Sequence, residues 1–150
     1  MMILIIKGWL FAVFLILAAV WDLRKREIPD TISVLIMITG LLAVKPWDAF
    51  LGFLLTGLPY LLVAVLIQKD TGFSMGGGDI KLMAACGFVL GVPLGALQSI
   101  VSLFIALLVG LCIRFLSGNN KIDSIALPLA PFFCAGGIFS YSVLVLSTIN

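Results

Sequence analysis

The segment Phe73-Ser-Met-Gly-Gly-Gly-Asp79-Ile-Lys81 places three consecutive glycines and a carboxylate at the start of a long apolar run. Glycine adopts backbone conformations closed to other residues and lets another peptide approach closely. A helix that starts near Asp79 directs free N–H groups toward that carboxylate, which favours a functional site. Because Asp is also a common N-cap, a capped helix start is the second open interpretation.

The composition predicts an all-α polytopic membrane protein. Of the 150 residues, 63% are hydrophobic and 11% are charged, and the mean hydropathy of +1.29 excludes a soluble domain. Nothing outside the apolar runs is long enough for a second domain or a nucleic-acid-binding surface, so residues 1–150 are predicted to form a single integral-membrane domain in the lipid bilayer. About six transmembrane helices are predicted, at roughly Ile3–Trp21, Thr31–Val44, Ala49–Gln68, Ile80–Leu97, Ser99–Phe115 and Ile125–Ile149.

The basic residues predict the orientation in the membrane, because Lys and Arg concentrate in cytoplasmic loops. With the N-terminus outside, seven basic residues lie on inside connections: Arg24, Lys25, Arg26, Lys69, Lys81, Arg114 and Lys121. Only Lys7 and Lys45 then remain outside. This topology places Asp22 and Asp79 together at the cytoplasmic boundary.

A structural role explains some of the aspartates at this boundary better than others. Asp22 follows an apolar span at the C-terminal end of a helix, where the macrodipole disfavours negative charge. Pro29 and Asp30 have a structural interpretation, since Pro29 cannot continue the incoming helix and Asp30 can cap a helix that opens at Thr31. Asp22 and Asp79 are therefore the candidate catalytic residues, and Asp30 is a candidate cap.

The absent residue types narrow the chemistry. With no histidine, a His-based triad, a Cys–His pair and an HExxH zinc site are excluded. The cysteines are isolated within apolar runs and predict neither a disulfide nor a metal site: Cys86, Cys112 and Cys134. A Ser74–Lys81 dyad remains open but has no spacing signature. The type of catalytic site that remains is a pair of aspartates on different helices that shares a proton, with no metal or cofactor required.

Two motifs at this spacing resemble the type IV prepilin peptidases, the bacterial branch of the GxGD intramembrane aspartic proteases. The motifs are Asp22 followed after five residues by Ile28-Pro29-Asp30, and Gly76-Gly77-Gly78-Asp79-Ile80-Lys81. The resemblance covers nearly the whole chain and implies a GxGD protease-like helical bundle in which Asp22 and Asp79 are the catalytic pair. It also implies that the three glycines and Lys81 shape the substrate site.

The resemblance further implies the substrate and the location. Prepilin-like precursors, pilins or pseudopilins, carry a short basic leader that ends in glycine before an apolar helix, and the leader is cleaved at the cytoplasmic face of the bacterial inner membrane. The two-function members have an N-terminal methyltransferase region with paired cysteine motifs. Since this chain begins with the span that leads to Asp22, we expect cleavage without N-methylation.

The stretch Pro128-Leu-Ala-Pro131-Phe resembles the Pro-Phe-Gly-Pro-Phe segment of the same family, from which Leu129 and Ala130 depart. Two prolines three residues apart predict either an irregular start to the last span or a simple helix start. Pro128 and Pro131 are therefore expected to shape the substrate site.

Within the pair, helix-end electrostatics favours Asp79 as the base that activates water and Asp22 as the acid. Two alternatives to a protease stay open. A small proton-coupled transporter would also keep carboxylates in a membrane core, and ion-dependent transport in liposomes would favour it. A non-catalytic assembly subunit of a pilus or secretion system is the other, although the intact pair of aspartates argues against it.

We predict which loops lie on which side of the membrane, because seven of the nine basic residues lie on the connections assigned to the inside. Single cysteines placed near Arg24, at Thr71 and near Asn119 should be labelled by impermeant thiol reagents only after the inner face is opened. A cysteine at Pro46 should be labelled from outside. Labelling of the Thr71 position from outside would contradict a cytoplasmic location for Asp79.

Overall fold

The computed structural model describes residues 2–42, 45–67, 76–117 and 127–149. Within these ranges the chain forms five helices and no strand: α1 (Met2–Lys25), α2 (Asp30–Gly40), α3 (Pro46–Ile67), α4 (Gly77–Ser117) and α5 (Ala130–Ile149). All of them except α2 are long and apolar enough to cross a membrane. The prediction of an all-α polytopic membrane protein is confirmed.

The fourth and fifth predicted spans both lie in α4, so six apolar runs correspond to five helices. This element is interrupted at Gly91, whose φ of 74° and ψ of −176° are not helical and favour glycine. A Cβ built on Gly95 would lie 3.3 Å from the Cα of Gly87. A straight helix would separate residues eight positions apart by about 12 Å, so the chain folds back at Gly91.

The turn at Gly91 divides α4 into two helical halves, residues 77–90 and 92–117. The sequence predicts the boundary between the fourth and fifth spans near Leu97. The break instead precedes Pro93, which lies in the first turn of the second half, where its missing N–H is not needed for a helical hydrogen bond. The left-handed backbone of a glycine, rather than the proline, ends the first half.

Helix α2 is shorter than its apolar run. It ends at Gly40, whereas the run continues to Val44, and at 11 residues it rises only about 16 Å. It does not extend into Pro46, which is the first residue of α3. Helix α2 is therefore too short to cross a hydrocarbon core of about 30 Å.

The core lies where α1, α2, α5 and the first half of α4 meet. Its fully buried large side chains include Phe11, Leu15, Ile36, Leu82, Met83 and Phe133. The outward faces are also apolar, with Trp9, Leu66 and Phe104 all more than half exposed. A surface of this kind is suited to lipid rather than to water. Lys7, near the start of α1, is buried at 5% exposure, so its side chain does not extend along the surface toward the membrane interface.

Glycines allow α3 and α4 to pack backbone against backbone. A Cβ on Gly52 would collide with the Gly87 carbonyl oxygen, and a Cβ on Gly87 would collide with both Gly52 and the Thr56 hydroxyl. That hydroxyl lies 2.8 Å from the Gly52 carbonyl oxygen and 3.1 Å from the Met83 carbonyl oxygen. Gly87 is therefore a packing residue, and the contact holds α4 against α3.

We predict that Gly87→Ala destabilises the protein by about 1–3 kcal/mol or more, since the new methyl group meets backbone atoms that cannot move aside. Gly77→Ala is the matched control, because a Cβ there meets nothing within 4 Å. Thermal unfolding of the two purified variants in detergent checks this. Equal melting temperatures would contradict the close packing of α3 and α4.

Candidate active site

Asp22 lies in the last turn of α1 and is only 6% exposed. Its Oδ2 accepts a hydrogen bond from the backbone N–H of Ala130, the first residue of α5, at 3.1 Å. After Lys25 the chain leaves the helix through Arg26, which has a φ of 54° and donates its N–H to the Asp22 carbonyl oxygen at 2.8 Å. Asp22 thus joins the end of one helix to the beginning of another.

This contact removes a premise of the expected division of roles. Asp22 was expected to experience only a helix C-terminus and apolar surroundings, which would oppose a negative charge. Its side chain in fact meets the N-terminus of α5, where an N–H donor and the helix dipole both favour a carboxylate. The electrostatic argument for Asp79 as the base therefore does not hold.

Asp79 is the third residue of α4, so its interpretation as the N-cap is wrong. The helix begins at Gly77, and the Asp79 N–H already donates to the Gly76 carbonyl oxygen at 3.0 Å. The side chain is half-buried, and its Oδ1 has no hydrogen-bond partner within the described ranges. A buried carboxylate oxygen left unpaired is costly, which favours a functional reason for Asp79.

The three glycines before Asp79 have different surroundings. A Cβ on Gly78 would lie 3.0 Å from the Cβ of Ile28 and 3.2 Å from its carbonyl oxygen. A Cβ on Gly76 would lie 3.4 Å from the Asp79 Oδ2, and one on Gly77 would meet nothing within 4 Å. Gly78 is therefore the glycine that lets the segment after Asp22 pack against the start of α4.

The cap predicted for Asp30 is not formed. Helix α2 begins at Asp30 rather than at Thr31, its N-cap position is Pro29, and no side chain caps it. The Asp30 carboxylate instead accepts hydrogen bonds from the Lys81 Nζ at 2.7 and 2.6 Å, because the first turns of α2 and α4 lie side by side. Both side chains are mostly exposed, and Lys81 lines neither of the cavities described next.

Asp22 and Asp79 lie where two cavities meet. The larger cavity has a volume of about 600 Å³ and the smaller about 260 Å³. Both are lined by the two aspartates, which are close enough for the charge of Asp22 to act on Asp79. Arg26 and Gly76 also line both. The structure thus brings together the two carboxylates that the sequence places 57 positions apart.

The two cavities differ in chemistry. The larger is lined mainly by apolar side chains of α3 and of the second half of α4, among them Leu55, Val63, Ile100 and Leu103. The smaller is lined by the glycines of the Asp79 segment and by Arg26, Glu27 and Ile28. A mainly apolar cavity and a smaller, more polar one therefore share the two aspartates as lining residues.

The segment with two prolines borders the larger cavity. Leu127, Pro128 and Leu129 are not helical, and all three line this cavity. Helix α5 begins at Ala130, with Pro131 in its first turn. Residues 127–129 thus form an irregular segment before α5, and Pro131 has the place in the first turn that a simple helix start predicts. Pro131 lines neither cavity.

Several site residues were missed by the sequence reasoning. Arg26 was interpreted only as a topology anchor, and Tyr60, which lines the larger cavity, was not considered. A tyrosine within an otherwise apolar span, directly after Pro59, was the available signal. Ser74 of the alternative dyad lies outside the described residues. Among the residues described, no group of three or more Cys, Asp or Glu side chains is placed to hold a metal ion.

We predict that Asp22 has a structural role separable from chemistry. Asp22→Ala removes the acceptor for the Ala130 N–H and should cost about 1 kcal/mol of stability, as the loss of a helix cap does. Asp22→Asn keeps an oxygen at that position and should retain most of the stability. Thermal unfolding in detergent compares the two variants, and equal stability of both would contradict the role of this hydrogen bond.

Comparisons with known proteins identify relatives. The model of the type IV leader peptidase family matches residues 9–115. The prepilin leader peptidase/N-methyltransferase of Bacillus subtilis (strain 168) is 33% identical over 133 residues, which are 87% of this chain and 53% of that protein. Proteins of the same description from Legionella pneumophila and Pectobacterium carotovorum subsp. carotovorum are 26% and 31% identical over 140 and 135 residues.

These two matches cover 87% and 84% of this chain and 48% and 47% of the relatives. The chain thus spans about half the length of the curated relatives it matches. No solved structure matches it significantly. Because the family model covers residues 9–115, which include both aspartates and all of the described cavity lining except residues 127–129, the chain belongs to the type IV leader peptidase family.

Proposed function

We propose that this chain is an aspartic endopeptidase that cleaves the basic leader from prepilin-like precursors, with Asp22 and Asp79 as the catalytic pair. The observation that carries the proposal is the meeting of both carboxylates at the junction of the two cavities. Membership in the type IV leader peptidase family supports the peptidase activity. The names of the relatives support the precursor as the substrate class.

The pair supplies acid–base chemistry for peptide hydrolysis. One carboxylate removes a proton from a water molecule, and the oxygen of that water attacks the scissile carbonyl carbon. The other carboxyl group donates its proton to the amide nitrogen, the C–N bond breaks, and a carboxylic acid and an amine leave. The Ala130 N–H holds Asp22 in place, and the contact between Gly78 and Ile28 holds the two segments together.

The two cavities match a substrate whose chemistry changes at the cleaved bond. A prepilin-like precursor is polar and basic before that bond and apolar after it. The larger cavity suits the apolar segment because its walls are mostly aliphatic. The smaller cavity suits the end of the leader, since glycine backbone and the Glu27 carboxylate line it.

The proposed location in the membrane fits the position of the site. The chain is an integral membrane protein, with helices long and apolar enough to span a bilayer. We place its N-terminus outside and the aspartates at the cytoplasmic face of the bacterial inner membrane, where a leader can reach them before it is exported. The uneven distribution of basic residues supports this orientation. The proposal concerns leader cleavage alone.

We predict that Asp22→Asn and Asp79→Asn each lower cleavage of a prepilin-like precursor by about 100-fold or more, because each removes one partner of the acid–base pair. The assay uses purified protein in lipid and follows the shortening of the precursor by gel or mass spectrometry. Asp30→Asn should keep most of the activity, because an exposed ion pair contributes only about 0–1 kcal/mol.

Asp48→Asn is the matched control, since Asp48 is an exposed carboxylate in the first turn of α3 and lines neither cavity. It should cleave at the rate of the unmodified protein. Substantial cleavage by the Asp22 or the Asp79 variant, with the same amount of protein in the membrane, would contradict the assignment of the pair.

A further inference from the structure

The structure contains a buried hydroxyl group beside the aspartates that nothing described so far uses. Tyr60 lies on α3 and is 6% exposed, and its side chain lines the larger cavity together with Asp22 and Asp79. The charge of Asp79 is close enough to act on it. Its hydroxyl oxygen has no hydrogen-bond partner among residues 2–42, 45–67, 76–117 and 127–149.

The ring of Tyr60 is held in one orientation by α5. It packs edge-on against Phe133, with ring centroids 5.8 Å apart and planes at 88°. The Phe133 carbonyl oxygen in turn accepts a hydrogen bond from the buried Gln98 Nε2 at 3.1 Å. The Tyr60 side chain, which lines the cavity, therefore has little freedom to turn away from it.

The second buried tyrosine shows how a hydroxyl is normally satisfied in this bundle. Tyr141 is also 6% exposed, and its hydroxyl donates to the Leu4 carbonyl oxygen at 2.6 Å. A buried hydroxyl without a partner costs about 1–3 kcal/mol. Among the residues that the structure describes, the Tyr141 hydroxyl therefore has an acceptor, and the Tyr60 hydroxyl beside the aspartates has none.

Ser99 is the side chain that could compete for this donor. It also lines the larger cavity and lies close enough to interact with Tyr60. Its own hydroxyl, however, donates to the Gly95 carbonyl oxygen one helical turn away, at 3.1 Å. Ser99 can therefore offer Tyr60 only an acceptor, and the two oxygens do not form a hydrogen bond of acceptable geometry.

We propose that the Tyr60 hydroxyl donates a hydrogen bond to a backbone carbonyl oxygen of the bound peptide beside the scissile bond, and so positions the peptide against Asp22 and Asp79. This rests on the proposed function, because it names a further substrate-contacting residue of the same site. A carbonyl oxygen is the appropriate partner, since a phenol is a donor at neutral pH and the aspartates can serve as the acceptors. The hydrogen bond is made in a cavity whose walls are mostly apolar, which strengthens such a bond.

The test is Tyr60→Phe, which removes the hydroxyl and keeps the ring against Phe133. We expect kcat/KM for a prepilin-like precursor to fall about tenfold or more. We also expect precursor binding to weaken when Tyr60→Phe is added to the inactive Asp79→Asn variant. The melting temperature in detergent should not fall, because the Tyr60 hydroxyl makes no hydrogen bond to the described part of the free protein. Tyr141→Phe is the matched control, and its cleavage rate per folded molecule should not change.

Three results would overturn the inference while leaving the proposed function intact. The first is unchanged cleavage by Tyr60→Phe in an assay in which the unmodified protein cleaves. The second is a loss of cleavage explained by a lower melting temperature of Tyr60→Phe. The third is an equal loss in Ser99→Ala, which would make Ser99 the true partner of the hydroxyl. Absence of cleavage by the unmodified protein would instead count against the proposed function.

Discussion

The hydrogen bond from the Ala130 N–H to the Asp22 carboxylate is the contact on which the site depends. It joins the end of α1 to the start of α5 and holds one acid of the pair at the boundary between the two cavities. A free N–H at a helix start needs an acceptor, and a carboxylate in a membrane needs a donor. Each of these groups satisfies the other, so the catalytic candidate also serves as a helix cap.

The second acid reaches this boundary through close backbone packing. Gly78 lets the segment after Asp22 lie against the start of α4. Because Gly78 has no Cβ, Ile28 can pack directly against its backbone. At its other end, the first half of α4 turns back at Gly91 and packs on α3 through Gly87. Glycines at both ends of residues 77–90 thus set where Asp79 stands relative to Asp22.

The cavity beside the pair is built from parts that have no common motif. Its walls come from α3, from the second half of α4 and from the irregular residues before α5. The sequence indicated the importance of the two prolines near α5 but not of Tyr60, because a single tyrosine in an apolar span has no pattern of its own. Likewise, Asp30 and Lys81 belong to the two different motifs, and only the structure shows that they pair with each other.

The sequence alone determined the class of the protein, its helical content and the two acids. Apolar runs of this length can satisfy their backbone polar groups in lipid only as helices, and the absence of histidine leaves carboxylates as the obvious acid–base groups. The tertiary structure alone decided where α4 turns, what Asp22 and Asp30 bind, and which side chains enclose the aspartates. These features depend on contacts between residues far apart in the chain, and the spacing of residues within one helix carries no information about them.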